Sequence, residues 1–471
     1  MKLTRKSSSK FTISLLILVL FLSIPITIGV AAPSHQEGPV YIIQQGDTLN
    51  SIALRFGISP DQLATANNIS DPNALNIGQR LGIPGLEGIS GVLISEVLPF
   101  GTSLTGLVRQ YNLQQKDLVF LNRLASPSET IAGLKFIIPI NEVSAPLSPL
   151  FSPEPKSTLI EIALQSGTSP WQLVDDNQLQ GSWDVLPGEL LFAEVGDDQE
   201  EGSQFPTPVN AITMNNLPVI QGETLQIALT AVEPVEVTGT FDGRSLHFFT
   251  EDDENYYAFH GIHALMEPGP VPLEIIVKHA EGGTLTFEQL VMLAEGGYGN
   301  EWVNVPEEYL DESVIAEEDA FLQPILDQVS PQKHWDGNFI YPVDEPCINS
   351  VFGQRRDYNN GGLFFYHTGM DFGVCAQNLN IYAPAAGEVV LAEELVIKGK
   401  AVLIDHGWGV FSGYWHLEEF NVEAGDFVEP GDIIGQIGNT GRSAGPHLHF
   451  EVDITGTPVN PQTWLDQTFP Q

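Results

Sequence analysis

Residues 41–85, YIIQQGDTLNSIALRFGISPDQLATANNISDPNALNIGQRLGIPG, read as strand, helix, helix, strand, and the order returns at 101–139 and, more weakly, at 157–193. A repeat this short is a small self-contained unit, so the chain is an array of modules and not one large core. Its 471 residues lead to the same conclusion, being too many for a single core. Within the first unit, Asp47 or Thr48 can cap a helix ending at Gly57, Ser59 with Pro60 starts a second, and QRLGIP makes a short closing strand. The copies decay along the chain: Phe100-Gly101-Thr102 stands where Gln45-Gly46-Asp47 stood, and the third copy's opening strand is hard to find in APLSPLFSPEPK.

The unit closely resembles the LysM module, on the opening GDTLNSIALRFG, the DQLATANN helix and the terminal LNIGQRLGIP. The resemblance implies a βααβ fold that binds N-acetylglucosamine-containing glycans such as peptidoglycan or chitin. Only the first copy carries that expectation well, with Gly46, Asp47 and Thr48 at the sugar.

The chain opens with the basic MKLTRKSSSK and the apolar FTISLLILVLFLSIPITIGVAAP, the layout of a secretory signal with Val30 and Ala32 at a cleavage point. An uncleaved membrane anchor is the alternative, because the apolar run is long enough to span a bilayer. The chain is therefore expected to be exported, extracytoplasmic, and either secreted or held in the cell envelope. Its net charge is −41, and loss of residues 1–32 removes Lys2, Arg5, Lys6 and Lys10 but no acid. Such a charge repels phosphate backbones and anionic lipid, which excludes nucleic acid as a partner and leaves membrane contact only to an uncleaved N-terminal segment. Cys347 and Cys375 are the two cysteines, and in an exported chain they suggest one disulfide.

Composition divides the remainder. The expected boundaries are 1–32 signal or anchor, 33–85 first module, 94–140 second, 141–156 a Pro/Ser-rich linker, 157–195 a degenerate third module, and 196–206 an acidic linker. At 207–298, runs such as LQIALTA, VEVTGTFDGRSLHFF and VPLEIIVKHA alternate between turn signals, which suggests an immunoglobulin-like β-sandwich. An acidic helical connector, 299–338, leads to the last domain, 339–471. The fold class expected is multidomain and mainly β with small α+β modules.

The chemistry concentrates at the C-terminal end, which holds His367, His406, His416, His447 and His449 out of 11 histidines. In GPHLHFEVD, His447 and His449 flank Leu448 in a strand-like alternation, so both imidazoles project on one side. In YHTGMDFG, His367 and Asp371 stand four apart and share a face in either a strand or a helix. His367, Asp371 and one of the His447/His449 pair supply three N/O ligands, which leaves the fourth position of a tetrahedral zinc to water, as in catalytic sites.

The stretches YHTGMDFG, APAAGEVV, VLIDHGWGVFSGYWHL, VEPGDIIGQIGNTGRSAGPHLHFEV and VNPQTWL, in that order, resemble the lysostaphin/LytM-type zinc metallopeptidases over nearly the whole domain. Members of that family cut peptide cross-bridges of bacterial cell walls. The resemblance implies a C-terminal antiparallel β-sheet domain with His367, Asp371 and His449 on Zn2+ and with His447 and His416 handling water, proton and oxyanion. The function implied is an exported peptidoglycan hydrolase targeted by LysM modules. Its rivals are a non-catalytic wall-binding activator of another hydrolase and a zinc protease acting on secreted proteins.

Overall fold

The computed structural model describes residues 38–142, 145–150, 158–185, 189–194, 203–279, 282–361 and 363–471. The signal or anchor expected at 1–32 lies outside the described residues, as do 143–144, 151–156 and 196–202 of the expected linkers.

In the first copy, Thr48 is the helix cap: its Oγ1 accepts from Ser51 N at 3.0 Å, and Ser51 Oγ accepts from Thr48 N at 2.9 Å. That capping box starts the helix Leu49–Phe56, and Ser59 with Gln62 builds another for Pro60–Ala66. The first two copies share one sheet, in the order Arg80–Gly82, Val40–Ile42, Val92–Val97, Lys135–Ile140, because Val40–Ile42 runs parallel to Val92–Val97. The third copy's opening strand is Ser148–Leu150, paired with Leu191–Ala193. Part of the segment 141–156, expected as linker, is therefore strand, and Pro149 is tolerated because a two-stranded ribbon leaves it an outer edge.

The middle unit is one hydrogen-bonded path of eight strands curled over a single core that includes Ile227, Leu229, Leu273, Ile275 and Val277. The two faces expected of an immunoglobulin-like sandwich are joined by the strand Arg244–Thr250. Its first half pairs with Val235–Phe241 and its second half with Asn255–Gly261.

This unit does more than space its neighbours. Its Gln289 carboxamide accepts from Gly101 N at 2.7 Å and donates to Thr102 O and Thr130 O at 3.1 and 2.8 Å, which occupies the loops of the second LysM-like copy. On the other side its Phe259 enters the aromatic core of the C-terminal domain, with ring centroids 5.9 Å from Trp464 and 6.1 Å from Trp335.

The connector consists of the strand Asn300–Val303, a short 3-10 turn and the helix Glu312–Leu326, whose cap is Asp311. Cys347 and Cys375 are bridged, tying together the antiparallel strands Ile348–Ser350 and Met370–Gly373. A cross-link between residues 28 apart contributes about 3–4 kcal/mol by restricting the unfolded chain.

The C-terminal sheet runs Ile348–Ser350, Met370–Gly373, His447–Ile454, Val410–Phe420, Lys400–Asp405, Gly387–Glu394, Phe427–Val428. Its central strand HLHFEVDI shows how pattern becomes structure. Leu448, Phe450, Val452 and Ile454 enter the core on one face, so His447, His449, Glu451 and Asp453 all rise on the other. On that second face Phe411, opposite Asp453, and Trp415, opposite His449, pack against Leu322 and Leu326 of the connector helix.

Asp453 is fully buried with neither carboxylate oxygen hydrogen-bonded. Burial, and then the charge of Glu451, push its carboxyl well above the usual range. A raised native pKa means the native state binds this proton more tightly than the unfolded chain, so stability falls as pH rises through the interval between the two values. Asp453→Asn, which cannot ionise, should therefore stabilise the protein at pH 7 by on the order of 1–3 kcal/mol, each unit of pKa displacement being worth about 1.4 kcal/mol. Thermal melts at pH 7 and pH 4 check this: the gain should shrink at the lower pH.

Candidate metal centre

Met370–Gly373 pairs with His447–Ile454 so that Asp371 lies directly opposite His449. Cross-strand neighbours of this kind present their side chains on one face. His367 arrives from a break just before Met370, where Gly369 is pressed against the central strand. A Cβ there would sit 2.3 Å from Phe450 O and 2.6 Å from His449 Nε2. His367 Nε2, Asp371 Oδ1 and His449 Nδ1 consequently lie 3.0 Å from one another. Three donors at that spacing have a common point about 2.0 Å from each, the usual distance from a metal to imidazole nitrogen or carboxylate oxygen. All three side chains are buried, and they are the one such His/Asp group found among the described residues.

The outer atoms of the three are all held. His367 Nδ1 donates to Val351 O at 2.9 Å, which leaves its Nε2 lone pair for a metal. His449 Nε2 donates to Glu451 Oε2 at 3.0 Å, which frees its Nδ1. Asp371 Oδ2 accepts from Arg356 Nη2 at 2.7 Å, which leaves Oδ1 facing the imidazoles. Hydrogen bonds of this kind fix tautomer and ring orientation in metal sites.

Burial depresses the His367 imidazole to about 4, so it is neutral at physiological pH. Burial alone would raise Asp371, yet its carboxyl lies well below the usual range, with the Arg356 guanidinium donating to it at 2.7 Å. Glu451 is likewise opposed by burial and kept low by Lys398 and His449.

Two further imidazoles complete the centre. His447 Nδ1 donates to Gly445 O and His416 Nδ1 to Thr440 O, both at 2.7 Å, so each Nε2 carries a free lone pair. His447 Nε2 is 3.6 Å from Asp371 Oδ1, and the His416 and His447 rings are 5.0 Å apart. His416 follows Trp415 in one strand, yet Trp415 donates to Glu451 on the same side of the sheet. Consecutive strand residues point to opposite faces, and the alternation is broken here because His416 has φ 70°, at a shift in register against the strand Lys400–Asp405. A left-handed non-glycine residue is strained, and surrounding structure must hold it there. His416 N donating to Lys398 O at 2.9 Å is part of that hold.

The connector helix covers this face. Glu318 accepts from the Ile397 and Lys398 amides at 2.8 and 2.9 Å, and Ile315 and Asp319 wall the cavity next to His367, His416 and His449. That cavity measures about 60 Å³.

His406 is outside the centre, fully buried, donating to Ala386 O and bonded to Ser412. Arg356, its side chain 12% exposed, bonds to Asp371, Ser350 and Glu301. Sequence reasoning missed Arg356, Ser350, Glu301 and Glu451. Only Glu451 had a local signal, standing two residues beyond His449 on the same strand face.

In the first repeat, Asp47 is turned inward: its carboxylate accepts from Tyr41 OH at 2.7 Å and Gln44 N at 2.8 Å and pairs with Arg55 at 3.4 Å. Thr48 caps a helix, and Gly46, with φ 83°, makes the turn just before them. The three expected sugar residues thus shape the loop through their backbone and cap contacts.

Residues 365–461 match the sequence model of Peptidase family M23, and residues 41–84 match that of the LysM domain. Among curated proteins, DD-carboxypeptidase/endopeptidase Mpg of Neisseria meningitidis serogroup B is 43% identical over 122 residues, 26% of this chain and 28% of that protein. Peptidoglycan DD-endopeptidase ShyA of Vibrio cholerae serotype O1 is 38% identical over 121 residues, again 26% and 28%. The chain thus spans little more than a quarter of the length of these relatives. The solved catalytic domain of the antimicrobial peptidase lysostaphin from Staphylococcus simulans is 29% identical, covering 31% of this chain and 98% of that one, with a TM-score of 0.20. The region that carries His367, Asp371, His416, His447 and His449 is a Peptidase family M23 domain, in a chain whose described part begins with a LysM domain.

Proposed function

We propose that the protein is an extracytoplasmic peptidoglycan hydrolase, a zinc metalloendopeptidase that cuts peptide cross-links in the manner of the DD-endopeptidases it resembles. One observation carries the reading: three buried donors 3.0 Å apart with two more imidazoles beside them, His447 Nε2 at 3.6 Å from Asp371 and the His416 ring 5.0 Å from that of His447. His367, Asp371 and His449 would hold zinc, which when bound lowers the pKa of its water and polarises a scissile carbonyl. His447, nearest to Asp371, is placed to take a proton from the attacking water. His416 beside it has an Nε2 free to receive that proton in turn and, once carrying it, would donate toward charge developing on the carbonyl oxygen or to the leaving amine. The Nδ1–H bonds to Gly445 O and Thr440 O keep both rings in the tautomer these tasks need.

Glycan targeting belongs to the first LysM copy in this reading, since the corresponding loop of the second copy is taken by Gln289. Tethering raises the local concentration of wall peptide at the catalytic domain. Among the described residues no helix is long and apolar enough to cross a membrane.

Digestion of purified sacculi, with mass spectrometry of the released muropeptides and casein as a parallel substrate, tests the assignment. Cross-linked muropeptides should be cut and casein left whole. Cleavage of casein alone would favour a protease of secreted proteins, and binding without cleavage of either would favour a wall-bound activator.

A further inference from the structure

We propose that Glu301, on the connector strand and outside the matched peptidase region, is a positioning residue for the metal centre. It acts through Arg356 and Ser350 on the ligands Asp371 and His367, and the proposal rests on the zinc reading above. The strand Asn300–Val303 runs parallel to Arg355–Tyr358 with Glu301 in register with Arg356. Glu301 Oε2 accepts from Arg356 Nε and from Ser350 Oγ, both at 2.9 Å. Arg356 Nη2 donates at 2.7 Å to Asp371 Oδ2 and at 3.0 Å to Ser350 Oγ. Ser350 Oγ lies 3.1 Å from His367 Nδ1.

The protons are mutually consistent. Ser350 gives its hydroxyl proton to Glu301 and receives from the Arg356 guanidinium and from the single His367 N–H, which it shares with Val351 O, so one carboxylate oxygen orders a chain reaching the outer atoms of two ligands. The charges also require it. Arg356 and Asp371 have side chains only 12% and 10% exposed, and a guanidinium facing Asp371 alone would draw the ligand's electrons away from a cation. Glu301 offsets that charge and fixes the guanidinium plane so that Asp371 turns Oδ1, not Oδ2, toward the imidazoles. Arginine suits this post because its planar fork serves two carboxylates at once.

Substitution of outer partners of metal ligands commonly weakens metal binding 10–100-fold. Glu301 is 31% exposed, so solvent screens it and the lower end applies.

The test measures zinc dissociation constants of the full chain by competition with a chromophoric chelator, for wild type, Glu301→Gln, Arg356→Gln and the double variant, with thermal melts alongside. Glu301→Gln is nearly isosteric and leaves the backbone pairing of its strand intact, so it should melt close to wild type while binding zinc about 10-fold more weakly. In the Arg356→Gln background the same change should cost clearly less, because only the Ser350 route to the ligands is left for it to act through. Unchanged affinity in a folded Glu301→Gln, or equal losses in both backgrounds, overturns the proposal. If Glu301→Gln melts early, Glu301→Asp, which keeps the charge, should bind zinc more tightly than Glu301→Gln, and the reverse order overturns it. Wild type that binds no zinc overturns the metal reading as well, whereas His449→Ala losing zinc beside an unaffected Glu301→Gln rejects the Glu301 role alone.

Discussion

His449→Ala, His367→Ala and Asp371→Ala should each lose bound zinc together with activity, while His447→Ala and His416→Ala should keep near-stoichiometric zinc and lose 10²-fold or more in turnover. Removing one of three protein donors leaves too poor a site to retain the ion. Removing an imidazole that only handles protons forfeits a general acid–base contribution, commonly 10²–10⁴-fold. The geometry predicts which variant does which: Nδ1 of His449 lies 3.0 Å from both other donors, whereas His447 Nε2 stands 3.6 Å from Asp371. Metal content by plasma mass spectrometry, measured beside activity on sacculi for all five variants, reads the outcome. Zinc lost from His447→Ala but retained in His449→Ala would exchange their roles. Full activity without zinc would remove the metallopeptidase assignment.

Loosening the connector helix should raise turnover of a soluble cross-linked peptide by 10-fold or more. The cavity beside the three donors, about 60 Å³, is far below the ~300 Å³ at the small end of ligand pockets. For a peptide to reach them, Ile315 and Asp319 would have to withdraw. The helix is held by Leu322 and Leu326 against Trp415, Phe411 and Leu403, and by Glu318 on two backbone amides. Leu322→Ala should weaken this docking by about 2–3 kcal/mol, and each 1.4 kcal/mol is a factor of ten in the open population while the closed form dominates. Limited proteolysis between 303 and 330 supplies an independent measure of opening. Faster cutting there with unchanged or lower turnover would show that the helix supports the domain and does not gate it.

The alternation in HLHFEVDI was legible in the residues alone and correctly places His447 and His449 on one side, because the two-residue period of a strand is a local property. The repeats, their helix starts and the cysteine pairing were legible for a related reason, since caps, turns and a lone pair of thiols are short-range or compositional signals. His367 and Asp371 were expected to share a face within one element. They converge instead across a break at Gly369, and it is pairing with the central strand that brings them together.

The rest waited on tertiary structure. Asp371 faces His449 because two strands far apart in the chain are neighbours, and neighbour choice follows from which apolar faces bury each other across the whole domain. His416 joins Trp415 on one side only because a left-handed residue breaks the alternation, a strain no propensity predicts and the surrounding contacts impose. Glu301 meets Arg356 across 55 residues, and Asp47, which looks like a sugar ligand, spends its carboxylate on Tyr41 and Gln44. Sequence spacing by itself determined which residue types stand on which face. Tertiary structure decided which faces meet, what their carboxylates are bonded to and what lies over them, because those depend on burial and pairing between segments that share no local period.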